Sequence, residues 1–127
     1  MLIRDPMVDS RYPSNHRLHK PIEFDAVFKN RQYRLHCEEF LVLAMDNDKS
    51  GSRIGMVIGK KTTSLAVDRN RIKRRIRESF RTRFPRCLCV DVVIVARSPV
   101  NKAKGSKLTE ILHVLWYNLE NKIRTSG

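Results

Sequence analysis

Between positions 69 and 77 the chain reads Arg-Asn-Arg-Ile-Lys-Arg-Arg-Ile-Arg, six fixed positive charges in nine residues with two isoleucines four apart. An isolated helix tolerates this poorly, since like charges stacked at i, i+3 and i+4 cost roughly 0.2–0.5 kcal/mol per pair. Short helices are also marginal in water without packing. The rest of the molecule, or a bound anion, has to hold the segment in place. Ile72, Ile76 and Phe80 form an i, i+4, i+8 stripe that can bury against a sheet, while Arg74, Arg77 and Arg81 fall on the opposite side. The pattern predicts a helix over 68–83. Asp68 is placed to cap it, its carboxylate meeting free N–H groups and the positive end of the dipole, and Pro85 sets the far limit. Such a helix presents a rigid basic rail, and nucleic acid is the first candidate partner.

The sheet that this helix needs is also legible. Residues 90–96 are β-branched and nearly continuous, which predicts a central strand covered on both faces; Asp91 near its start must lie at an edge or find a partner. Further strands are predicted at 33–36, 39–45 and 53–58. Asp46-Asn47-Asp48-Lys49-Ser50-Gly51 separates the last two, a turn cluster that reads as an antiparallel hairpin. Pro21 suits the first turn of a short helix ending at Asn30, which brings Phe24 and Phe28 together at i, i+4. Ser98-Pro99 breaks the central strand. A last helix starts at Ser106 or Lys107 and carries Leu108, Ile111, Leu112, Leu115, Leu119 and Ile123 as one stripe, with Trp116 and Tyr117 completing the packing. The order α-β-β-β-α-β-α, without repeats, implies an α+β or α/β sandwich of sheet and helices. Residues 1–16, with Pro6, Pro13 and no periodicity, read as a flexible arm; 17–124 form a single domain and 125–127 a tail.

A length of 127 residues suits one domain. The net charge is +13, and residues 69–86 hold nine basic groups against the single acid Glu78. Concentrated charge of this kind makes a directional field that draws phosphates and gives salt-sensitive binding. Cys37, Cys87 and Cys89 are odd in number and lack a disulfide-framework spacing, and the first ten residues carry no apolar signal region, so a reducing cytoplasm is the expectation. No apolar run approaches 18 residues, and no membrane span is expected.

Catalytic chemistry finds little to work with. His16, His19, His36 and His113 make no HxH or HExxH spacing and the carboxylates are scattered, so no catalytic residue is nominated. Cys87 and Cys89, with Cys37 and a histidine, would make a zinc site only with distortion if they sit two apart on a strand; reduced structural cysteines are the simpler reading. Phe24 and Phe28 admit two readings, core packing under the first helix or a platform for unpaired bases. Lys60-Lys61 directly follow a strand. If that strand ends beside the first helix, lysines and rings line a cleft for single-stranded nucleic acid, a second surface apart from the basic helix.

Several of these stretches together carry a family resemblance. Arg17-Leu18 precedes Glu23-Phe24-x-x-Val27-Phe28, and Arg53-Ile54-Gly55 leads to Lys60-Lys61. Next comes Ala66-Val67-x-Arg69-Asn70-Arg71-Ile72-Lys73-Arg74-x-Ile76-Arg77-Glu78-x-Phe80, and then Asp91-Val92-Val93-Ile94-Val95-Ala96-Arg97. Over residues 17–97 the chain resembles the protein subunit of bacterial ribonuclease P. The resemblance implies a ribosomal-protein-like α-β-β-β-α-β-α sandwich with a left-handed βαβ crossover. It also implies that a catalytic RNA removes the 5′ leader of precursor tRNA with Mg2+, while the protein aids substrate affinity and metal-dependent cleavage. Position by position, Arg69, Asn70, Arg71, Lys73, Arg74 and Arg77 would contact the catalytic RNA, and Phe24, Phe28, Lys60 and Lys61 the leader; Arg75 fits either group. The chain departs from some members at Leu43, where they place a cleft aromatic, and at 62–65, a longer connection.

Three rivals make different demands. A sequence-specific DNA reader needs side chains for base edges, and on the basic helix only Asn70 qualifies. A protein-only nuclease needs a carboxylate cluster. A membrane-surface helix needs a wider apolar face than Ile72, Ile76 and Phe80 provide. The expected partners are therefore the catalytic RNA and precursor tRNA, without specific DNA and without a membrane.

Overall fold

The computed structural model describes residues 17–49, 51–97, 100, 101, 103 and 105–126. The expected arm over 1–16 and the break at Ser98-Pro99 lie outside the described residues. In chain order the elements are α1 Pro21–Asn30, β1 Tyr33–His36, β2 Phe40–Asp46, β3 Arg53–Val57, α2 Ala66–Arg83, β4 Val90–Ala96 and α3 Ser106–Ser126. The predicted α-β-β-β-α-β-α order is the observed one. The last helix runs into the stretch expected as a tail, since α3 includes Thr125 and Ser126.

The sheet order is β1-β2-β4-β3, with β1/β2 and β2/β4 antiparallel and β3/β4 parallel. This corrects the expected hairpin between the second and third strands: β4 lies between them. Six of the seven residues of β4 are apolar, Asp91 being the exception, and all but one of the seven are buried, so the place with neighbours on both sides belongs to it. Between β2 and β3 the described residues on either side of the connection contact the segment that enters β4. There Asn47 N–H donates to the Cys89 carbonyl at 2.9 Å, and Ser52 N–H donates to the Arg86 carbonyl at 3.1 Å. The hairpin is β1–β2, and α2 connects the parallel pair β3 and β4.

Alternation along the strands sorts two cores. One face buries Phe40, Val42, Ala44, Ile54, Val92 and Ile94 against Ile72, Ile76 and Phe80 of α2 and Leu108, Leu112, Leu115, Trp116 and Leu119 of α3. Trp116 is fully enclosed: its ring stands edge-on to Phe80 at 5.1 Å, and its Nε1–H donates to Ser79 Oγ at 2.8 Å. Burial of that ring is worth several times the roughly 0.8 kcal/mol of a methylene, and the bonded indole N–H removes the polar cost. Tyr117, expected to share this packing, is 64% exposed. One residue further along a helix turns by about 100°, which takes it off the stripe. The opposite sheet face carries α1. There Leu18, Val27, Leu43 and Val93 are buried, ringed by half-buried Phe24, Phe28, Leu41, Met45 and Val95.

Cys87 lies in a 3₁₀ turn, Arg86–Leu88, and Cys89 follows with φ +53°, so the pair is not on a strand as expected. All three cysteines are free. Among the described residues no helix is long and apolar enough to cross a membrane.

Candidate nucleic-acid interface

The basic helix starts two residues earlier than predicted. Leu65 is its N-cap and makes no side-chain cap bond, so Asp68 does not cap. Asp68 lies in the first turn, where its charge still favours the dipole, and accepts a hydrogen bond from Arg71 at 2.9 Å. The entry to α2 is fixed by Arg69, whose guanidinium donates to the carbonyls of Thr63 and Ser64, both at 2.9 Å. A sequence pattern shows side-chain spacing but not which loop carbonyls lie in reach, so this anchoring role was not legible.

The six predicted α2 residues divide by surroundings. Asn70, Lys73, Arg74 and Arg77 make no side-chain hydrogen bond or ion pair among the described residues, whereas Arg69 and Arg71 are engaged within the chain. Asn70, Arg71 and Arg74 are exposed; Lys73 and Arg77 are half-buried. Arg77 thus departs from the open rail expected for it. Burial, then Arg17 and Arg74 beside it, pushes its guanidinium below its ordinary range, though it stays charged at neutral pH. Arg75 lines a groove together with Arg71 and Arg74. Its guanidinium donates to Thr109 Oγ1 of α3 at 3.0 Å. Arg81 is paired with Glu78.

On the other face α1 is seated by a chain of charges. Glu23 accepts from the backbone N–H groups of His19 at 2.7 Å and Lys20 at 3.0 Å, closing the first turn after which Pro21 needs no N–H partner. Its other oxygen meets Arg53 at 3.1 Å. Arg53 in turn grips Asp91 with two bonds, Nε to Oδ1 at 2.8 Å and one terminal nitrogen to Oδ2 at 2.6 Å, while Asn47 Nδ2 donates to Asp91 Oδ1 at 2.8 Å. Asp91 therefore has the partner its burial requires. The parallel register sets Arg53 directly beside Asp91. The need for a partner was readable; its identity required the pairing of β3 with β4.

Phe24 and Phe28 fall within one half-buried apolar cluster on this face. Phe24 rests on Gly55 of β3, where an added Cβ would lie 2.6 Å from ring carbons Cε2 and Cζ. Both readings of these rings therefore have physical support, since each packs on the domain and keeps part of its surface open. Leu43, the position at which the resemblance implies a departure from a cleft aromatic, is 3% exposed and offers no stacking surface. Lys60 and Lys61 are exposed in the turn that follows β3, where Thr62 and Thr63 N–H groups both bond the Gly59 carbonyl. The turn is anchored by Asn101, which accepts from Thr63 Oγ1 and donates to the Thr62 carbonyl. No hydrogen bond or shared apolar cluster joins these lysines to the two rings among the described residues. Likewise, no group of three or more His, Cys, Asp or Glu side chains gathers to hold a metal ion among them.

Comparison with known proteins places this arrangement. The sequence model of the family Ribonuclease P matches residues 12–120. The chain is 37% identical over 118 residues to the ribonuclease P protein component of Chromohalobacter salexigens, covering 93% of this chain and 92% of that one. To the corresponding component of Ectopseudomonas mendocina it is 40% identical over 113 residues, with 89% and 84% covered. Among solved structures it is similar to the RNase P protein of Staphylococcus aureus, with TM-score 0.70, 28% identity, and 79% and 92% covered. The RNase P protein of Thermotoga maritima matches with TM-score 0.61, 30% identity, and 76% and 94% covered.

Proposed function

This chain belongs to the ribonuclease P protein family, and on that premise we propose that α2 binds the catalytic RNA while the α1 face receives the 5′ leader of precursor tRNA. The chain is the protein component of an endoribonuclease holoenzyme. In our reading the RNA subunit performs the cleavage that leaves the mature 5′ end, and the protein supplies affinity and charge. The observation that carries this is the set Asn70, Lys73, Arg74 and Arg77: one helix holds three cations and an amide that have no side-chain hydrogen bond or ion pair among the described residues. Cations so placed neutralise phosphates and let RNA segments approach one another. Arg69 and Arg71 complete the RNA-facing set, with part of their donor capacity already used inside the chain.

The second surface is formed by Phe24 and Phe28, which offer ring faces for sequence-tolerant stacking, and by Lys60 and Lys61, which track phosphates. Magnesium enters this reading as the RNA's ion, and no protein side chain is assigned to it. The place of work is the cytoplasm, where precursor tRNA is available, without membrane or specific DNA as partner.

The test is cleavage of a 5′-extended precursor tRNA at low magnesium by the protein, by a bacterial ribonuclease P RNA, and by both. Cleavage at the mature 5′ end that is far faster with both is the expected result. Cleavage by the protein alone would make it a nuclease, and absence of any protein effect would overturn the proposed role.

A further inference from the structure

Arg17 stands apart from both predicted surfaces. The extended residues Arg17 and Leu18 run along β3, which is an edge strand, with Arg17 bridged to Ile54 and Leu18 N–H donating to the Ile54 carbonyl at 3.0 Å. Leu18 is buried in the α1-side cluster. Alternation along an extended segment therefore turns Arg17 the other way, toward α2, which packs on β3. On that side its charge is near enough to act on Arg77, as is the charge of Arg74. The ion pairs of the described residues occupy Arg53, Arg71, Arg81 and Arg124, and none involves Arg17, Arg74 or Arg77. Arg17 is also half-buried, with its Nε enclosed and lacking a hydrogen-bond partner.

The nearby Glu78 is paired with Arg81, so like charges are gathered here without an ion pair among the described residues, which is unfavourable in the free protein and becomes favourable when an anion supplies the missing charge. We infer that Arg17 joins Arg77 and Arg74 in one site for a nucleic-acid backbone phosphate, at the β3 edge where the α2 surface passes round to the α1 face. The site rests on the reading that α2 binds RNA, and extends it by making the two surfaces continuous. A phosphate of the RNA subunit and a phosphate of the leader are chemically the same to it.

The experiment measures two equilibria over a range of salt with Arg17→Gln, Arg17→Lys, Arg77→Gln, the double variant Arg17→Gln/Arg77→Gln, and Arg74→Gln. One is binding of the protein to the ribonuclease P RNA, the other binding of precursor tRNAs with long and short leaders to the assembled holoenzyme. Arg17→Gln is expected to lower the salt slope of one equilibrium by about one unit and to weaken it by about tenfold, with Arg17→Lys retaining the slope. Because the residues share one phosphate, the double variant loses less than the two single changes added together. A change in assembly assigns the phosphate to the RNA subunit, and a change confined to long leaders assigns it to the leader.

Thermal melting of each variant separates this from a fold defect. Arg17→Gln should melt no lower than the parent at low salt, and inorganic phosphate should raise the parent's melting temperature more than the variant's. A variant that melts lower, by the same amount with and without phosphate, would make Arg17 a structural anchor and overturn the site. Unchanged slopes in both equilibria for Arg17→Gln, with assembly weakened by Arg74→Gln, would overturn the site and leave the α2 reading standing. If Arg74→Gln also changes nothing, the α2 reading falls with it.

Discussion

Gly55 decides how closely α1 can approach the sheet. A methyl group there would sit 2.6 Å from two Phe24 ring carbons and 3.1 Å from Leu18 Cβ, so the ring or the strand must move. Gly55→Ala is expected to destabilise the domain by about 1–3 kcal/mol, as overpacked sites do, in urea unfolding. Adding Phe24→Ala should recover part of that loss, because the two changes share one contact. Arg53 has the reverse role, holding by attraction. Asp91 has 7% of its side chain exposed, and Arg53→Met would leave that charge with Asn47 alone. A loss of about 3–5 kcal/mol is expected, the cost of breaking a buried pair on one side, and a loss below 1 kcal/mol in urea unfolding would mean that the pair is solvated. Neither contact was visible in the sequence: Asp91 announces that a partner is required and Gly55 announces nothing, and the facing residue comes from a parallel neighbour in the first case and from α1 in the second.

Elements with their own periodicity were read closely. β1 and β4 have the predicted limits, α3 starts at Ser106, and α2 was found from the Ile72, Ile76, Phe80 stripe, because each signal lies within one stretch of chain. Pairing is not local. The chain leaving β2 joins the far side of β4 as β3 instead of pairing with β2, since a strand buried on both faces must be central whatever the intervening cluster favours. The seating of α1 is a further relation between elements, and it has a pH signature. Donation from the Lys20 N–H, then the His19 N–H, and then the charge of Arg53 holds the Glu23 carboxyl below its ordinary value. A carboxylate depressed on folding adds stability above its unfolded pKa of about 4.3 and loses it as pH falls through the lower folded value. Glu23→Gln should therefore be less stable than the parent at pH 7, and the gap should close as pH is lowered below about 4. A gap of equal size at pH 7 and pH 3 in urea unfolding would assign the effect to packing instead of charge.

At the scale of the whole molecule, the net charge of +13 sets a field that favours RNA everywhere, and the internal acids decide where that field is spent. Asp68 is the informative case. It holds Arg71 at 2.9 Å, with the two side chains 33% and 51% exposed, a pair worth at most about 1 kcal/mol in water. In the proposed interface an RNA phosphate would compete with Asp68 for the same guanidinium, and the carboxylate would also repel the RNA directly. Asp68→Asn is expected to tighten binding to the RNA subunit and to steepen its salt slope by up to about one unit, as a further cation becomes available for a phosphate. The helix should pay about 0.3–1 kcal/mol for losing the negative charge in its first turn, so stability and affinity move in opposite directions. Adding Arg71→Ala to Asp68→Asn should return the slope to the parent's value. If the slope stays steep in the double variant, Asp68 acts only through the general field; if Asp68→Asn leaves slope and affinity unchanged, Arg71 lies outside the RNA contact and the interface is centred on Lys73, Arg74 and Arg77.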